Sequence, residues 1–159
     1  MALALTSSAF THESSIPRLY TCEGEDAAPA LGWSGAPAGT TSFALIVHDP
    51  DAPDPAAPKQ DYVHWVLYDV PASVTGLPEG VASTDLPSGA REGKNDWDRT
   101  GYGGPCPPIG RHRYYFELFA LDTVLGDLGQ PTREDLERRM AGHVLERAVL
   151  MGTYQKEEN

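Results

Sequence analysis

Three apolar runs of strand length, each bounded by turn residues, constrain the fold of this chain more than any other feature. Ser42-Phe-Ala-Leu-Ile-Val-His48 is almost unbroken, with Gly39 upstream and Pro50 downstream. Such a run fits a strand covered on both faces. Tyr62-Val-His-Trp-Val-Leu-Tyr-Asp-Val70 is rich in aromatic and β-branched residues and stops at Pro71. Tyr114-Tyr-Phe-Glu-Leu-Phe-Ala-Leu121 carries a single charge, Glu117. Strand-like composition returns from Ala148 to Gln155. Against these stands one helical pattern. Thr132-Arg-Glu-Asp135 opens it like a capping box, and Leu136, Met140 and Val144 recur every four residues as its buried stripe. His143, one position off that stripe, reads as a partly buried core histidine. Many strands and one late helix give a mainly β protein, closer to a β-sandwich than to alternating β/α units.

A chain of 159 residues suits one domain, residues 1–159, with a core that needs no staples. Between Pro71 and Arg113, turn residues at Gly76, Pro78, Gly80, Pro87, Gly89 and Gly93 predict short strands or a functional loop. The net charge of −11 leaves no basic face for nucleic acid or an anionic membrane. No apolar run approaches a transmembrane span, and the first residues, Met-Ala-Leu-Ala-Leu-Thr-Ser-Ser, lack the basic start of a signal peptide. The expectation is a cytoplasmic protein without stable membrane association. Cys22 and Cys106 form no disulfide framework and lack the close spacing of a zinc-binding pair. They read as reduced, semi-buried residues, with a redox role for Cys106 as the lesser alternative.

The chemistry gathers at strand ends. Gly101-Tyr-Gly-Gly-Pro-Cys-Pro-Pro-Ile-Gly-Arg-His-Arg-Tyr114 is a stiff Gly/Pro loop whose backbone amides could crowd around a small anion. It leads into Arg111, His112 and Arg113; alternation about His112 turns both arginines away from any pocket. Asp49-Pro-Asp51 follows the first run, with two carboxylates whose relative directions the proline fixes. Strict alternation puts His64 on one face with Val66 and Tyr68, and Val63, Trp65 and Leu67 on the other.

Asp49-Pro-Asp-Ala-Pro53, His64-Trp65 and the Gly101–Tyr114 loop, in that order, resemble the phosphatidylethanolamine-binding protein family. This is also called the Raf kinase inhibitor-like family, and the likeness is to its compact bacterial-type branch. Supporting similarity at Ile16-Pro17, Tyr20–Gly24, Leu31–Ser34, Gly93–Asp96, Ala120–Asp122, Gly142-His143 and Gly152–Tyr154 extends it over nearly the whole chain. The resemblance implies two antiparallel sheets packed as a β-sandwich with a C-terminal helix, and a cis bond between Ala52 and Pro53. It implies a small pocket for phosphate, acetate or a phosphoryl headgroup such as phosphoethanolamine. Asp49, Asp51, His64 and His112 would line it, with Gly104, Pro105 and Tyr114 close by. The histidines would donate to the anion, and the aspartates would orient them or accept from an ammonium or a protonated phosphate oxygen. No cofactor is implied, and the role is binding, of a regulatory or inhibitory kind toward a kinase or protease. A protein partner would meet Asp54–Asp61 or Val81–Arg99, with Asp96-Trp-Asp-Arg99 as a candidate contact. The alternative is a small metal-dependent hydrolase using the two aspartates and two histidines. Neither a His-x-x-x-His spacing nor a Gly-x-Ser-x-Gly elbow accompanies them.

Overall fold

The three runs occupy the centre of the larger of two antiparallel sheets in the computed structural model, which describes residues 2–156. A small sheet joins β1 (Ala4–Thr6), β2 (Leu31–Ser34) and β5 (Gly76–Leu77). The large one comprises β3 (Ser42–Ala52), β4 (Gln60–Pro71), β6 (Arg91–Glu92), β7 (His112–Leu121) and β8 (Val144–Tyr154). Its order is β6-β4-β3-β7-β8. Both faces of its central strands are covered, which explains why the runs are so nearly continuous. In front, Phe43, Leu45, Val47, Trp65, Leu67, Phe116 and Leu118 pack with Leu5, Leu31, Trp33 and Leu77 of the small sheet. Behind, Ala44, Ile46, Val66, Tyr68 and Leu121 pack with Leu136 and Met140 of the helix α1 (Arg133–Met140).

The helix starts as its sequence predicts. The Thr132 hydroxyl accepts from the Asp135 amide, and the Asp135 carboxylate accepts from the Thr132 amide. Its end differs. Gly142 at φ +83° turns the chain after Met140, so Val144 opens β8 as an exposed residue rather than continuing the buried stripe. His143 is likewise outside the core, at the surface beside Asp122 (2.8 Å). The segment from Pro71 to Arg113 holds β5, β6 and a short 3-10 turn at Ser83–Asp85 before a loop that returns to β4.

Two further departures shape the site. Val47 pairs with Trp65 but His48 pairs with Val63, so β4 carries one extra residue there, His64. This β-bulge breaks the alternation. Val63 packs behind with Val66 and Tyr68, whereas His64 meets Tyr114 of the front core (ring centroids 5.2 Å apart). Cys22 and Cys106, read as reduced, are joined in a disulfide with Cα atoms 5.4 Å apart across 84 residues. The segments carrying them already meet through other bonds. The Cys22 amide donates to the Pro105 carbonyl (3.1 Å), the Tyr102 hydroxyl to the Tyr20 carbonyl (2.8 Å), and the Gly104 amide to Asp26 (2.8 Å). Among the described residues, no helix is long and apolar enough to cross a membrane.

Candidate functional site

A cavity of about 300 Å³ opens where β3, β4 and β7 meet the Gly/Pro loop. β3 contributes Asp49 and Ala52, followed by Pro53; the Ala52–Pro53 bond is cis. β4 adds Gln60, Tyr62 and His64, and β7 adds His112 and Tyr114. Trp97, Cys106, Pro107 and Pro108 complete the wall from the loops. The wall is thus mostly apolar and aromatic, with Gln60 at its exposed edge, and the buried Asp49, His64, His112 and Tyr114 form the floor, a common division of labour in small-ligand sites.

On that floor His112 is held from both sides. Its Nδ1 shares a proton with Asp49 Oδ2 (2.5 Å), and its Nε2 donates to the carbonyls of Ile109 (2.9 Å) and Pro53 (3.2 Å). The other oxygen of Asp49 accepts from the Asp51 amide (2.7 Å). Burial pushes the Asp49 carboxyl above its ordinary pKa, against the opposing pull of His112 and the Asp51 amide. His64 is bound once: Nδ1 donates to the Gly103 carbonyl (2.7 Å), and no hydrogen bond reaches Nε2 among the described residues. A carbonyl can only accept, so Nδ1 carries the ring proton and Nε2 is an acceptor. Burial keeps the ring neutral, with its pKa lowered to about 4. Tyr114 is 1% exposed, and its hydroxyl is buried without a partner. Burial, with Asp49 nearby, pushes its ionisation far up, so it stays a neutral donor.

Asp49, His64, His112 and Tyr114 thus come together, while Asp51, Gly104 and Pro105 do not line the cavity. Asp51 faces Arg113, which grips it through Nε (3.0 Å), Nη2 (2.8 Å) and its own amide (2.9 Å). Those hydrogen bonds hold the Asp51 carboxyl below its ordinary pKa. Arg113 therefore closes β7 onto β3 rather than forming only a surface rim, and Arg111 turns to Thr153 (3.0 Å). Nor are the Gly103 and Gly104 amides free to cradle an anion. Gly103 N donates to the His64 carbonyl (3.0 Å) and Gly104 N to Asp26, so these glycines secure the wall from behind. A Cβ on Gly103 would lie 2.2 Å from the Trp97 ring, and one on Gly104 2.3 Å from the Tyr20 carbonyl. Only glycine permits both approaches.

Trp97, considered above as a partner contact, packs edge-on against Tyr62 (4.9 Å) and His64 (5.0 Å). Asp96 places it there, exchanging hydrogen bonds with both polar groups of the Val63 backbone. An aromatic residue among charges was its only sequence signal. Pro107 and Pro108 belong to the Gly/Pro loop that the sequence singles out, whereas nothing local marked Gln60 or Tyr62 as wall residues.

The sequence model of the phosphatidylethanolamine-binding protein family matches residues 6–155. A protein of Methanothermobacter thermautotrophicus, designated UPF0098, is 45% identical over 96% of this chain and 98% of its own length. Among solved structures, a putative phosphatidylethanolamine-binding protein homologue from Chlamydia trachomatis superposes with a TM-score of 0.90. It is 40% identical and covers 98% of this chain and 99% of its own. E. coli YbcL, described as a member of the mammalian family, gives a TM-score of 0.88 at 32% identity. The match covers 99% of this chain and all of YbcL, 100%.

Proposed function

The chain belongs to the phosphatidylethanolamine-binding protein family, and on that premise we propose that its pocket binds a small phosphoryl headgroup and works by binding rather than turnover. The observation that carries this reading is His64 Nε2, which no hydrogen bond reaches among the described residues, on the floor of a concave cavity. Leaving such a group unsatisfied costs about 1–3 kcal/mol, which a hydrogen donated by the headgroup would recover. Metal-dependent hydrolysis fits the residues less well. Asp51 is taken by Arg113 and His112 by Asp49 and two carbonyls, so the four donors do not converge on one point. Among the described residues, no group of three or more His, Cys, Asp or Glu side chains is arranged to hold a metal.

A regulatory or inhibitory role toward a kinase or protease would act through the rim, where Trp97 is 36% and Ile109 54% exposed. The disulfide fits an oxidising compartment, or the cytosol of a hyperthermophile, better than the reducing cytoplasm expected for free cysteines. Isothermal titration with phosphate and phosphoethanolamine at pH 6 and pH 8 tests the headgroup reading. Saturable binding of one ligand per chain in at least one of these conditions is expected. No heat from either ligand at either pH overturns it.

A further inference from the structure

We propose that the Cys22–Cys106 disulfide is a reversible thiol switch, opened by a dithiol reductant that enters at Cys22 and frees the wall segment from Cys106 to Ile109. The switch is argued from the place of the bond in the fold and rests on the headgroup reading only for its binding readout.

The two ends of the bond have different surroundings. Cys22 is exposed, just past the short 3-10 turn at Arg18–Tyr20, whereas Cys106 is half-buried and lines the cavity. A thiol in solvent therefore meets the bond on the Cys22 side, and the sulfur it displaces belongs to the pocket wall. Exposed disulfides are the ones that exchange readily with thiols.

The hydrogen bonds around it separate what stays from what moves. The backbones on either side are joined by Cys22 N to the Pro105 carbonyl, the Tyr102 hydroxyl to the Tyr20 carbonyl, and Gly104 N to Asp26. These bonds do not need the disulfide, and they stop at Pro105. Beyond it, among the described residues, the span from Cys106 to Ile109 is tied at two points. One is the disulfide, and the other is the Ile109 carbonyl, which accepts from His112 Nε2 (2.9 Å). Pro107 and Pro108 fix φ at two of the four residues, so a displacement at Cys106 is carried to Ile109 rather than absorbed. One end of the span is thus covalently anchored, and the other holds the ring on the pocket floor.

Reduction follows ordinary thiol–disulfide exchange. A thiolate of the dithiol attacks Cys22 Sγ, forming a mixed disulfide and expelling the Cys106 thiolate. Its second thiolate attacks the reductant's own sulfur in that mixed disulfide and releases the Cys22 thiolate. Two electrons pass to the protein, the reductant becomes a disulfide, and its two protons end on Cys22 and Cys106. The Ile109 carbonyl then loses its fixed position, and His112 Nε2 keeps only the longer bond to Pro53 (3.2 Å). The floor is less preorganised and binds more weakly. The bonds as far as Pro105 keep the cysteines near each other, so oxidation recloses the switch.

Reduction of the folded chain with dithiothreitol tests this, read by thiol titration, circular dichroism, NMR of the histidine rings and calorimetry with phosphoethanolamine. Both cysteines should titrate as thiols while the far-ultraviolet spectrum is kept. The His112 resonances should shift while those of His48, behind the sheet, stay in place. Phosphoethanolamine affinity should fall about fivefold, and oxidised glutathione should restore both signals. Cys22→Ser should reproduce the reduced state without reductant. A bond that resists dithiothreitol until the chain unfolds, unmoved His112 resonances, or a measurable but equal affinity in the two forms overturns the switch and leaves the headgroup reading standing. Shifted His112 resonances with no phosphoethanolamine bound in either form overturn the headgroup reading and support the switch.

Discussion

His48 and His64 stand on adjacent strands, on opposite faces of one sheet, and their surroundings are opposite in kind. Behind the sheet, His48 stacks on Tyr115 and directs Nδ1 to Asp61 (2.7 Å) and Nε2 to Glu117. Those carboxylates are themselves paired, Asp61 with Arg133 (2.7 Å) and Glu117 with Arg147 (3.0 Å). Burial opposes a charge on His48, but the two carboxylates outweigh it and hold its pKa above the ordinary value. In front, His64 has one carbonyl and a ring of aromatic neighbours, and it stays neutral. The rear cluster holds more charge, yet its histidine and carboxylates answer one another and tie α1 to β3, β4, β7 and β8. The front cluster leaves the His64 acceptor open and the Tyr114 hydroxyl buried without a partner. A buried ionisable group marks a site when its bonding capacity is left unspent, rather than merely when it is buried.

The comparison can be broken first through the disulfide, which braces only the front. Reducing it, or replacing Cys106 by Ser, should cost ~4 kcal/mol for a loop of 84 residues. Chemical denaturation measures the loss. Amide exchange should rise at residues 18–26 and 101–110 while the strands around His48 keep their protection. A uniform rise would show that the two faces are not held separately.

The histidines should also give stability opposite pH slopes. The His48 pKa is raised in the folded state, so its contribution is complete below pH ~6.5 and is lost as pH rises through the folded value. The His64 pKa is lowered to about 4, so its contribution is complete above pH ~6.5 and is lost as pH falls toward 4. At about 1.4 kcal/mol per unit, the acid-side loss from His64 reaches roughly 3 kcal/mol. Urea midpoints across pH 4.5–8.5 should show both limbs, and His48→Gln should flatten only the alkaline one. Both rings titrating together near pH 6.5 by NMR would erase the distinction.

The smallest effect is expected from Tyr114→Phe, which should change folding stability by less than ~1 kcal/mol because no protein partner is lost. A substantial destabilisation would mean that the front cluster is as closed as the rear one.

The strands and the helix start were legible in the sequence because their signals are local, and the residues of the floor because three separated motifs resemble a known family. Apolar runs between glycines and prolines, a Thr-x-x-Asp cap and the motifs around Asp49, His64 and His112 can all be read within a few residues. The direction of His64 was not legible, because it depends on a bulge set by pairing with β3. Nor was the engagement of His112, whose partner Asp49 is 63 residues away, or the joining of Cys22 to Cys106. Trp97 reached the wall only because Asp96 bonds to the backbone of β4.

By itself, then, the sequence determined a mainly β chain with a capped late helix and the residues from which a pocket would be built. Burial and periodicity are written along the chain at spacings of two to four residues. The tertiary structure decided which of those residues keep a free hydrogen-bonding position. Each donor and acceptor can be spent only once, and where it is spent depends on segments that meet only in the folded state.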